Sequence, residues 1–178
     1  MWIDILVLGH LVQRPAHGYE IKQRVGRSIG SAQPLNNNVL YPALRRLEEM
    51  GAVESELQPQ AASPPRRVYR LTGRGVELLR GMVEDLPADS ALDEGEFNVR
   101  LAYFELIEPA ARLQILHTRA AASRALLDHL RRSLEDTRQE GRHPYAGRLL
   151  EFLISRQEAD VRFVEDLARE EAGPEQPS

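Results

Sequence analysis

The stretch from Leu40 to Gly51 constrains the fold most. Leu40, Leu44, Leu47 and Met50 recur at spacings of four, three and three, which is one face of an α-helix, and Gly51 follows as a natural stop. Pro42 lies inside this run. It lacks an N–H and is comfortable only in a first turn, so the helix is expected to begin around Asn38 to Tyr41. With Leu40 at the centre of the buried face and a step of about 100° per residue, Asn38, Tyr41, Pro42 and Arg45 fall together on the opposite face. Arg46 points sideways, to be solvated or paired with a neighbouring Glu, and stands as a further candidate DNA contact. Asn36 and Asn37 precede the helix and read equally as caps and turn formers or as contacts made from the helix tip.

The flanking segments fit around this helix. Trp2 to Val12 is densely apolar and reads as a buried first helix, although periodicity alone also admits a strand. From His17, Ile21, Val25 and Ile29 recur four apart in a short amphipathic helix that Pro34 closes. After Gly51, "AVESEL" and "RVYRLT" are β-prone runs flanking "QPQAASPP", which predicts a two-stranded hairpin with a long tip. Thr72 then caps the helix "GRGVELLRGMVEDL", and Pro87 with "ADSALDEG" reads as a linker.

From Glu94 onward the chain reads as helical. A long helix opens at Pro109 and carries Leu113, Leu116, Ala120, Ser123, Leu127, Leu130 and Leu134, spaced alternately three and four, as a heptad seam. "GRHP" breaks it. A last helix from about Tyr145 to Glu171 carries Leu149, Phe152, Ala159 and Phe163 on one face. The expected fold is mainly α with a small β-hairpin. It comprises a winged helix-turn-helix over residues 1–86, a helical, coiled-coil-like domain over 94–171, and a flexible tail over 172–178.

Helix, helix, turn, helix, hairpin, helix is the element order of a winged helix-turn-helix, whose third helix enters the DNA major groove while the wing lies on the backbone. Asn38 and Arg45 suit the edges of adenine and guanine, and Tyr41 can donate to a phosphate. Arg66 and Arg67 flank the wing tip and suit phosphates, whereas Tyr69 beside them ranks as core by alternation.

Charge supports a chain in two parts. The net charge is −4, but residues 1–83 hold eleven Lys and Arg against seven Asp and Glu, and residues 84–178 hold twelve against twenty. A basic front and an acidic back imply different partners. Among the 23 basic residues only Lys22 is a lysine, which is read either as forked phosphate and guanine recognition or as codon bias. The absence of cysteine excludes disulfides and thiolate metal sites. No apolar run reaches the roughly 18–20 residues needed to span a bilayer, and "MWIDILVLGHLVQRP" does not read as a leader, so a soluble cytoplasmic protein is expected. The five histidines, His10, His17, His117, His129 and His143, show no metal spacing, and no Gly-rich phosphate loop occurs. No cofactor and no catalysis are expected. The rival class is a helical protein-interaction adaptor acting through the back half.

"GHLVQRPAHGYEIKQRV", "NNNVLYPALRRLEEMGAVES" and "RRVYRLTGRGVELL" together resemble the PadR family of bacterial transcriptional regulators, closely over residues 5–84. The back half is similar, more loosely, to the C-terminal helical region of the larger PadR subgroup. The resemblance implies a winged-helix repressor that binds double-stranded operator DNA as a homodimer held by its C-terminal helices. It also implies that His17 and Tyr19 stand at the second-helix start, with Tyr19 near the DNA backbone. Two positions depart from the family pattern. Val39 replaces the usual Thr or Ser before Leu-Tyr-Pro, and Ser63-Pro64-Pro65-Arg66 replaces Gly-Arg-Pro-Arg at the wing. Both bear on which sequence is read.

Two winged helices held by symmetry read half-sites about 34–36 Å apart. The seam of Leu113, Leu116, Ala120, Leu127, Leu130 and Leu134, with Phe152 and Phe163, is the expected dimer contact. The alternative is a hairpin of the two long helices within one chain, and the two are compatible. Trp2, Tyr103, Phe104 and Tyr145 are candidates to line a pocket for a small aromatic or apolar effector, against the plainer reading that they are core.

Overall fold

The computed structural model describes residues 2–26, 36–59, 65–141 and 144–173. The expected Ile29 and Pro34 features, most of the wing tip (60–64), His143 and the end of the tail (174–178) lie outside the described residues. Packing divides the chain into two units, one of Met1–Asp85 with Glu94–Ile107, the other of Leu86–Asp93 with Glu108–Ser178. The 94–107 segment therefore belongs with the front of the chain, not with the long helices that follow it.

The first unit holds α1 (Trp2–Gln13), β1 (Ala16–His17), α2 (Gly18–Val25), α3 (Asn37–Glu49), β2 (Val53–Gln58), β3 (Arg66–Leu71), α4 (Gly73–Glu84) and α5 (Glu94–Leu101). Its sheet is antiparallel with order β1-β3-β2. The expected hairpin is present, with Val53 opposite Leu71 and Gln58 opposite Arg66. The third strand was not foreseen: Ala16 and His17, read as the approach to a helix, pair with Tyr69 and Val68.

The core follows the apolar positions. α1 buries Ile5, Leu6, Val7, Leu8 and Leu11, and α3 buries Leu40, Ala43, Leu44 and Leu47. Helix α3 ends as its glycine suggests. Gly51 takes φ of 70°, where a Cβ would be strained, and Ala52 N donates to Leu47 O while Gly51 N donates to Glu48 O, closing the last turn. Thr72 Oγ1 accepts from Gly75 N at 3.0 Å and donates to Gly51 O at 2.7 Å, so one side chain caps α4 and ties it to the end of α3. Helix α5 is anchored by Arg100, which is fully buried and donates to Asp85 O at 3.0 Å and to Glu96 Oε2 at 2.5 Å.

The second unit is an antiparallel pair, α6 (Pro109–Glu140) and α7 (Pro144–Ala172). Arginines of α6 meet carboxylates of α7 along the antiparallel pair: Arg112 with Glu171, Arg119 with Asp160, Arg124 with Glu165, Arg131 with Glu158 and Arg138 with Glu151. At its centre the buried Arg119 forks onto Asp160, Ser123 Oγ donates to the same carboxylate at 2.7 Å, and Arg119 Nη1 donates to Ala91 O. This buried polar cluster fixes the register that a plain leucine seam would leave free to slide. No helix among the described residues is long and apolar enough to cross a membrane.

Candidate nucleic-acid interface

The surface is built around α3. Asn36 is its N-cap, with extended backbone at φ −73° and ψ 141°, and its Oδ1 accepts from Asn38 N at 3.0 Å. That amide oxygen is thereby committed to the helix start. The helix begins at Asn37, earlier than expected, so Pro42 stands in its interior rather than its first turn. The missing N–H forgoes the bond to the Asn38 carbonyl, a loss tolerated because both residues are exposed to solvent. The faces divide as the spacing predicts: Asn38, Tyr41, Pro42 and Arg45 are exposed, opposite the buried leucines, and Met50 is only half-buried. Val39 is also exposed.

Asn37, Asn38, Tyr41, Pro42, Arg45, Arg46 and Glu49 line a shallow depression of about 490 Å³. A second open cleft of about 420 Å³ is lined by His17, Gly18, Tyr19, Glu20, Tyr41, Arg66, Arg67 and Tyr69. Tyr41 belongs to both, so the start of α2, the outer face of α3 and the base of the wing share one continuous surface. Glycine makes the junction close: a Cβ on Gly18 would stand 3.1 Å from the Tyr41 ring. Glu20 Oε2 accepts from His17 N at 3.1 Å to fix the start of α2. His17 Nδ1 is buried with no hydrogen-bond partner among the described residues. Tyr19 is exposed, its hydroxyl accepting from Gln23 Nε2 at 2.9 Å. Tyr69 is buried, as alternation suggests, and that burial pushes its hydroxyl pKa up.

The four arginines of this surface are not equivalent. Arg46 Nη2 donates to Asp4 Oδ1 at 2.6 Å, so its partner lies on α1, not among the neighbouring glutamates. Arg67 Nη1 lies 3.6 Å from Glu48 Oε2 and donates to Ser55 Oγ, which itself donates to Glu48 Oε1. Arg45 and Arg66 are exposed and have no carboxylate partner among the described residues. Sequence reasoning missed Asp4. A lone carboxylate inside an apolar helix was the available signal, since such a group is buried only with a cation.

Packing within one chain bears on two expectations. The seam residues Leu116, Ala120, Leu127 and Leu134 are buried, and Leu113 and Leu130 half-buried, within the α6–α7 pair of a single chain, which is the hairpin expected as the alternative to a dimer contact. The α7 residues differ, with Phe152 58% and Phe163 49% exposed. Of the candidate effector residues, Tyr103 lies so close to Gly9 that a Cβ there would stand 2.2 Å from its ring, and Phe104 is buried. Both are packing residues of the first unit. Trp2 and Tyr145 are exposed.

The sequence model of the transcriptional regulator PadR-like family matches residues 7–81, which span the whole surface just described. A PadR family transcription regulator from Clostridium difficile is 30% identical over 44% of this chain and 80% of its own, with a TM-score of 0.40. One from Eggerthella lenta is 36% identical over 42% of this chain and 64% of its own, with a TM-score of 0.35. Bacillus subtilis PadR, solved in complex with operator DNA, is similar across 93% of this chain and 95% of its own, at 17% identity and a TM-score of 0.44. Superpositions that loose carry no weight by themselves; the front segment's sequence identity and the family match do.

Proposed function

The chain belongs to the PadR-like family of transcriptional regulators, and on that premise we propose that it binds a specific double-stranded operator as a homodimer and represses transcription there, in the cytoplasm. The observation that carries this reading is the continuous surface running from Tyr19 across Asn38, Tyr41 and Arg45 to Arg66, set on a helix whose other face is buried. Arg45 reads a base edge in the major groove, with Asn38 beside it, while Tyr41, Tyr19 and Arg66 contact the backbone. Arg46 and Arg67, already paired with carboxylates, contribute less.

The dimer is proposed to form through α7. Tyr145, Leu149, Phe152 and Phe163 occupy positions of one heptad-spaced stripe and are all exposed, which leaves an apolar face for a second copy. The effector pocket is not carried forward, because two of its four residues are taken up in packing.

The test is binding to the DNA upstream of its own gene, measured by fluorescence anisotropy across a salt series against a scrambled duplex. Preference for the upstream DNA, with affinity falling steeply as salt rises, is the expected result. Equal, weak binding to both duplexes would sink specific repression. No salt-dependent binding at all would favour the helical adaptor instead.

A further inference from the structure

Asp4 is 4% exposed on a helix otherwise given to apolar packing, and the partner of its carboxylate, at 2.6 Å, is Arg46 on α3. The Arg46 side chain is itself 49% exposed and lines the same depression as Asn38, Tyr41, Pro42 and Arg45. Adjacent arginines on one helix are thus treated in opposite ways: one is tethered to a buried anion and the other is presented to solvent. A buried carboxylate holds its cation firmly, because releasing it would leave an uncompensated charge inside the protein. The tether has two consequences. It neutralises a cation at the edge of the groove-facing surface, and it fixes the roll of α3 against α1, which decides which side chains face outward.

We propose that Asp4 is a specificity-determining positioning residue: it withholds Arg46 from DNA phosphates and orients α3 so that Arg45 reads the groove. This rests on the DNA-binding reading above. Phosphate contacts add affinity for every sequence alike, whereas base contacts discriminate. A free Arg46 beside the groove would raise binding to all DNA and dilute the preference for the operator. The buried anion prevents that by holding the guanidinium at 2.6 Å.

The full-length protein and three variants, Asp4→Asn, Asp4→Leu and the double Asp4→Asn/Arg46→Gln, are compared on a scrambled duplex and on the upstream DNA across a salt series. Asparagine keeps the shape of Asp4, and leucine suits its apolar surroundings should asparagine still hold the guanidinium. The expected result is a log affinity–log salt slope on the scrambled duplex steeper by about 0.9 in a single variant, the value of one added phosphate contact. Over a fourfold rise in salt that is an extra loss of roughly 3.5-fold in affinity. The ratio of upstream to scrambled affinity should fall, and the double variant should return to the wild-type slope. Wild-type slopes and ratios in both single variants would overturn the proposal, including when only thermal stability changes, since that marks a purely structural pair. A double variant flatter than wild type would overturn it too, because Arg46 would then already touch a phosphate. If the wild type binds neither duplex, the DNA-binding reading fails and this one with it. If the wild type binds with preference and only the variants behave otherwise, this one fails alone.

Discussion

The ring of Tyr41 on α3 rests against Gly18 at the start of α2, where a Cβ would stand 3.1 Å from ring atom Cε1. The contact joins the two depressions of the surface, and a Cβ at Gly18 would make the ring give by a few tenths of an ångström. Tyr41 is half exposed and has somewhere to move. Gly18→Ala is therefore expected to change stability little, the helix preference of Ala over Gly, about 1 kcal/mol, offsetting the strain, while displacing the ring. DNA affinity should fall several-fold by anisotropy, with a nearly unchanged melting temperature. A variant that binds as tightly as wild type would show that the position of Tyr41 does not matter.

The two wing arginines should behave differently. Arg66 has no carboxylate partner among the described residues, whereas Arg67 is shared with Glu48. Arg66→Ala is expected to flatten the slope of log affinity against log salt by about 0.9, and Arg67→Ala by less, with both acting alike on every sequence. Equal effects would mean that Arg67 leaves Glu48 when DNA arrives.

Phe152→Glu combined with Phe163→Glu places two charges in the exposed stripe of α7. Away from any buried feature, each change should alter the stability of the single chain by no more than about 0.5 kcal/mol. Sedimentation equilibrium should show a dimer for the wild type and a monomer for the variant. A variant that still dimerises would move the interface off this face.

Alkaline pH should weaken the first unit through Tyr103. Burial, helped by the charge of Glu105, pushes its hydroxyl pKa up to about 12 from 10.0. The unfolded chain releases this proton near the ordinary value, whereas the folded chain keeps it until about 12. Between the two the unfolded state binds fewer protons, so the stability contribution is fully present below the ordinary value and is lost as pH rises toward 12. Denaturant midpoints at about pH 9 and 11 should fall less in Tyr103→Phe than in wild type. An identical fall in both would place the loss elsewhere.

What could be read from the sequence was local. The burial of Leu40, Leu44 and Leu47, the exposure of Asn38, Tyr41 and Arg45, the stop at Gly51 and the cap at Thr72 each depend on residues within a turn or two of one another. Features that were misread or left open depend on distant partners. The Arg46 guanidinium meets a carboxylate on α1, far back in the chain, which no helical periodicity encodes. The α6 seam declares an apolar stripe but not what covers it, and α7 of the same chain does so. A two-residue strand such as Ala16–His17 has no period to read. The helix start at Asn37 was misplaced because Pro42 was weighed by its missing donor alone, while exposure makes that loss cheap.

The central claim is that the outer face of α3 reads base edges, with Arg45 as the reader. The measurement is the affinity of wild type and Arg45→Ala for the upstream site and for a series of its single base-pair substitutions. The account predicts that wild type loses about 1–3 kcal/mol at the contacted base pair of each half-site, and that Arg45→Ala loses that discrimination there while keeping it elsewhere. A substitution profile identical in the two proteins would contradict it.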